Sequence, residues 1–165
     1  MSPSSTAIRF PIKAAFFALA FATALTAQAE DRFKVSADGQ EVTDSTTSLV
    51  WRRCVEGMSW DGAKCNGKAK KLNFPAANKL ATSQTTPGWR VPTKEELLGL
   101  VDKSKKKKPR IDTTAFPNTP AGLTWAVRPD TKDNLNAWIV DFANGHVYGN
   151  TGSKAPVLRL VRSAS

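Results

Sequence analysis

Six cationic side chains, Lys103, Lys105, Lys106, Lys107, Lys108 and Arg110, stand within eight residues of one another. So dense a line of charge cannot enter a core and repels itself, which predicts an exposed loop. The chemistry open to it is ionic. A polymer of phosphates or sulfates lying along the ammonium groups releases counterions as it binds, so the association weakens steeply with salt. A second group, Lys64, Lys68, Lys70 and Lys71, surrounds Cys65 and extends this surface if the fold brings the two together. The plain alternative for both groups is a solvated charge run that only confers solubility.

Residue types suited to bond-making chemistry are scarce. His146 is the single histidine, and no G-x-S-x-G accompanies it. Asp141 lies near it across an expected hairpin, an arrangement that fits a strand-edge histidine as it stands. Glu95 and Glu96 are adjacent on an expected helix and so do not face each other; first-turn acids answer the helix macrodipole. The segment Arg128–Asn134 offers oxygen ligands without the EF-hand spacing or its terminal glutamate. Zinc wants four nitrogen or sulfur ligands, whereas this chain has one histidine and no CxxC. The sequence therefore predicts no catalytic residue, no metal and no cofactor: a binding domain, not an enzyme.

Cys54 and Cys65 are the two cysteines, and an even number in an oxidising compartment favours a disulfide between them. Of five tryptophans, Trp51, Trp89, Trp125 and Trp138 sit in or beside expected strands and read as core. Trp60 lies in the glycine-containing segment between the cysteines. It is the one expected to be exposed, and is the candidate for stacking on a glycan ring.

The elements that must hold these residues follow from pattern. RFKVSADGQEVTD reads as two strands around an Asp38–Gly39 turn, and LVWRR as a strand running into Cys54. The stretch between the cysteines reads as a pinned loop. FPAANKLATS (74–83) has helical spacing, and Thr93–Glu96 is a capping box opening a second helix. LTWAV is a strand. AWIVDF and HVYGN form a hairpin about Ala143–Gly145. VLRLVR, apolar on both faces, reads as a central strand, with Arg159 needing an acidic partner if its face is buried.

At 165 residues, 41% of them hydrophobic, the chain has material for one packed domain. Its opening has Arg9 and Lys13 and no acid, then the apolar run AAFFALAFATALTA, then Ala27-Gln28-Ala29. Those are the three parts of a cleavable signal peptide, and the run is short for a permanent span. The expected organisation is a signal at 1–29 and a domain at 30–165. Cleavage takes two cations and no acid from a formal +10, so the mature domain keeps +8 and attracts polyanions. Export makes the expected location secreted or periplasmic, with the bacterial cell surface as an extension. It rules out cytosolic nucleic acid as a natural partner and leaves no integral membrane segment after cleavage. Anionic polysaccharide or another extracellular polyanion is the expected partner. The alternative is an envelope protein, with the domain as a structural or interaction subunit of an envelope or surface assembly.

Four stretches, DGQEVTDSTTSLVWRRC, GWRVPTKEELLGLVD, IDTTAFPNTP and AWIVDFANGHV with the closing LRLVR, together resemble the Lcl C-terminal domain family, named for a Legionella collagen-like surface protein. The likeness runs from about Arg32 to Arg162. It implies an α+β, C-type-lectin-like single domain: two helices with antiparallel strands drawn from both ends of the chain. It also implies glycan or polyanion binding and adhesion, since the family's named member adheres to sulfated polysaccharides at the bacterial surface. No family catalytic residue transfers. Two departures stand out: the chain has no collagen-like stalk, and Trp125 is followed by Ala-Val-Arg-Pro where members often carry serines.

Overall fold

Along Glu41-Val42-Thr43-Asp44, Val42 and Asp44 are buried while Glu41 and Thr43 are half-covered, the period-two pattern of a strand. In the computed structural model, which describes residues 31–129, 137–149 and 155–164, this is β2 (Glu41–Asp44). It pairs antiparallel with β1 (Phe33–Val35) and with β3 (Leu49–Arg52). The β1–β2 turn carries Gly39 at φ 71°, and its Asp38 carboxylate accepts from the Gln40 amide. Glycine is required there twice over, because a Cβ would also collide with the Trp60 indole. All described residues fall within the unit Asp31–Ser165. The expected signal at 1–29 and most of the loop Arg128–Asn134 lie outside the described residues.

Between the cysteines the chain is more regular than its two glycines imply. Instead of a loop it forms the hairpin β4 (Met58–Trp60) and β5 (Cys65–Gly67), with Trp60 opposite Cys65. Cys54 and Cys65 are joined as a disulfide, as expected. Backbone pairing decided this correction: Asp61 organises the turn by accepting from the amides of Ala63 and Lys64.

The two helices form where their signals lie. α1 (Phe74–Thr82) is capped by Asn73, whose side chain accepts from the Ala76 amide, and buries Phe74, Ala77 and Ala81. α2 (Lys94–Leu100) has a complete capping box between Thr93 and Glu96 and buries Leu97 and Leu100. A second sheet, β6 (Leu123–Ala126), β7 (Trp138–Asp141) and β8 (His146–Gly149), is antiparallel throughout. β7 separates two clusters of buried side chains. Val140 packs with Leu97, Ile111 and Phe116, and Ile139 with Phe74, Trp125 and Leu158. The fold is thus α+β with antiparallel strands and two helices.

The closing segment corrects a second expectation. Only β9 (Val161–Ser163) is a regular strand; it pairs with β3, so strands from both ends of the chain share one sheet. Upstream, Val157 exchanges backbone hydrogen bonds with Leu123 and Trp125 of β6, and Leu158 and Leu160 accept from Glu56 and Arg52. The segment is apolar on both faces because it runs from one sheet to the other; only at Val161, between Trp51 of β3 and the Arg90 backbone, does it lie inside a sheet. Within it Arg159 is buried, yet among the described residues no acid pairs with it. Its guanidinium donates to the carbonyls of Arg52 and Arg53 and to the Thr119 hydroxyl, over the Phe116 ring. Carbonyl dipoles replace the expected carboxylate, and burial pushes the group down to about 9, still charged at neutral pH.

Candidate functional site

The lysine run begins where α2 stops. Asp102 opens it: its carboxylate accepts from the amide and hydroxyl of Ser104, bonds that hold it below the usual carboxylate range. Its backbone amide donates to the Arg110 carbonyl at 3.0 Å, closing the neck of the loop. Arg110 is then tied to the β7–β8 turn, its amide donating to the Phe142 carbonyl at 2.7 Å and its guanidinium to the Asn144 carbonyl at 3.3 Å. The result is a basic loop on a rigid base. Its root packs on the molecule through Leu100 and Ile111, both buried.

The six cations do not share one environment. Lys103, Lys106, Lys107 and Lys108 are exposed. Lys105 and Arg110 are half-buried, and the Lys105 ammonium donates to the Ile111 carbonyl at 2.7 Å. Lys105 to Lys108, with Pro109 and Thr113, line an open hollow of about 450 Å³ that has no acidic or aromatic wall. Lys103 borders a different hollow, shared with Asp102 and Asp112. Among the described residues no lysine of the run forms an ion pair with an acid.

The reason is a division of labour between the two cation types. Arginines serve the interior: Arg32 grips Asp44 through two nitrogens, Arg90 grips Glu96 likewise, and Arg162 and Arg52 share Glu41. The planar guanidinium suits these forked contacts, whereas a lysine is a flexible, strongly hydrated point charge. Burial alone would raise the Asp44 carboxyl, but hydrogen bonds from Arg32 and then Thr46 hold it down at about 2. Burial likewise opposes ionisation of Glu96, and Arg90 and Thr93 together outweigh it. Asp44, Glu96 and Glu41 are thus paired with arginine, and Lys103, Lys106, Lys107 and Lys108 are left facing water.

The second cluster is exposed throughout: Lys64 in the β4–β5 turn, and Lys68, Lys70 and Lys71 in the segment leading to α1. Lys70 lies near Glu56, whose carboxyl is raised by burial against the pull of Arg52 and Lys70. Among the described residues no hydrogen bond joins this cluster to the lysine run.

Trp60 is less open than its loop position implies. It is half-buried, and the Arg53 guanidinium sits 3.7 Å from the centre of its ring. Arg53 is itself fixed by the carbonyls of Thr114 and Ala115. Trp51, Trp89 and Trp125 are buried as read. Trp138 is half-buried, with Lys94 and Arg128 over its ring. His146 is exposed on β8, opposite Asp141, and its ring meets the edge of Tyr148. Asp141 is occupied by the turn, accepting from the Ala143 amide. Among the described residues no three His, Cys, Asp or Glu gather as a metal site.

Asp102 is the residue of the site that was not singled out from sequence. The signal was present: an aspartate two residues before a serine marks a turn in which the side chain caps the backbone. Residues 40–162 match the family model described as the Lcl C-terminal domain. No curated protein matches the sequence.

Proposed function

The chain belongs to the Lcl C-terminal domain family, and from that footing we propose that it is an exported, non-enzymatic binding domain for anionic glycan or another extracellular polyanion. The observation that carries this reading is the exposure of Lys103, Lys106, Lys107 and Lys108 on a loop tied at its neck, while arginines pair with Asp44, Glu96 and Glu41. Ammonium groups held outward, with no ion-pair partner among the described residues, focus a positive potential that concentrates polyanions. The α+β core with strands from both ends in one sheet suits the C-type-lectin-like architecture that we assign to it. Secretion or periplasmic residence, with adhesion at the cell surface, supplies the setting.

Heparin chromatography of the mature domain tests the reading against net charge alone. One variant carries Lys103, Lys106, Lys107 and Lys108 changed to Gln; a second carries Lys64, Lys68, Lys70 and Lys71 changed to Gln. Both lose the same charge. The loop variant is expected to elute at distinctly lower salt than the second variant, which falls only modestly below the wild type. Equal elution of the two would reduce the lysine run to a contribution to solubility.

A further inference from the structure

The six cations of the run split by geometry into two kinds, and the split bears on how the loop works. Lys105 is half-buried, and its ammonium donates at 2.7 Å to the carbonyl of Ile111, a residue with no exposed surface. Its own amide donates back to the Asp102 carbonyl. Lys105 therefore braces the loop from inside, linking the outgoing strand of the loop to the returning one. Arg110 braces it from below, its amide and guanidinium reaching two carbonyls of the β7–β8 turn while its carbonyl receives the Asp102 amide. The Nε of Arg110 is also buried, so this side chain is directed into the fold.

One donor of Lys105 and one of Arg110 is held by a backbone carbonyl, which ties these cations to the loop's base, whereas among the described residues the other four lysines make no such bond. We propose that Lys105 and Arg110 are positioning residues, and that Lys103, Lys106, Lys107 and Lys108 alone meet the ligand. This rests on the polyanion reading above and assigns the roles within it. Holding the loop in one shape spares the ligand the entropy of ordering it, so the braces raise affinity without touching the ligand. The four outer lysines act through counterion release, which leaves a separate signature. Each cation that contacts the polymer adds a little under one to the slope of log K against log salt.

Two measurements on the mature domain separate these roles. The first needs no ligand: brief acetylation with a lysine-reactive ester, read by mass spectrometry of peptides. Lys103, Lys106, Lys107 and Lys108 are expected to react several-fold faster than Lys105; equal rates would overturn the assignment. The second measures binding to a heparin oligosaccharide over a range of salt. Lys106→Met is expected to lower the slope by about 0.7–0.9. Lys105→Met is expected to weaken binding several-fold with the slope unchanged, and Lys105→Arg to recover most of the loss. A slope reduced in Lys105→Met as in Lys106→Met would make Lys105 a ligand contact. Unchanged affinity would deny it any positioning role. Absence of heparin binding by the wild type would refute the polyanion reading itself, whereas the acetylation rates would still judge whether Lys105 is turned inward.

Discussion

Asp44 shows how much a single ion pair governs at the residue scale. It is almost wholly buried, held by two nitrogens of Arg32 and by the amide and hydroxyl of Thr46. Its carboxyl sits at about 2 when folded, against an ordinary value near 3.9 for a free chain. A depressed folded value means that the stabilisation is complete above the unfolded value and is lost as pH falls toward the folded one. The window is therefore roughly pH 4 down to 2, and the contribution is about 2 kcal/mol. Urea unfolding of Asp44→Asn should show lower stability at neutral pH and a flatter profile across that window than the wild type. An unchanged profile would assign the acid sensitivity to other carboxylates. Arg159 marks the limit of residue-level reading. Its burial was legible from Val157 and Val161, but its partners are the distant carbonyls of Arg52 and Arg53 and the Thr119 hydroxyl, which sequence pattern does not announce.

Among the elements, those whose signal is local were read correctly, and those that depend on a distant partner were not. Thr93 and Glu96 declare the start of α2 within four residues, and Asp38–Gly39 declares the β1–β2 turn. The cysteine segment misled because glycines at 57 and 62 read as loop, while the pairing of Met58 with Gly67 and of Trp60 with Cys65 makes a hairpin. At the candidate site the same rule applies. The lysines were visible as composition, but the inward turn of Lys105 depends on the carbonyl of Ile111 arriving beneath it. The disulfide joins the β4–β5 hairpin to the end of β3 across 11 residues. Replacing both cysteines by serine should lower unfolding stability by about 2–3 kcal/mol in urea melts, from the larger conformational freedom of the open chain. The hairpin should lose most, since its strands are only three residues each. Equal stability of the serine variant would show that Trp60, Arg53 and the Asp61 turn hold the hairpin without the bond.

For the molecule as a whole, basic charge and packing are kept apart. The interior is built from two apolar clusters and arginine contacts, and the lysines around Cys65 and the outer four of the run are exposed. Loss of the outer lysines therefore should not cost the fold, which is what makes the heparin comparison interpretable. One feature of the architecture also governs how the molecule comes to be made. Residues 157–163 supply the last backbone partners of both sheets, bonding to β6 at Val157 and to β3 at Val161. Because a ribosome makes the chain from the other end, β3 lacks its β9 neighbour and β6 lacks Val157 until these last residues are made. A version ending at residue 156 should accordingly give no cooperative melting transition by circular dichroism, and a sharp one would show that the sheets can close without their final stitch.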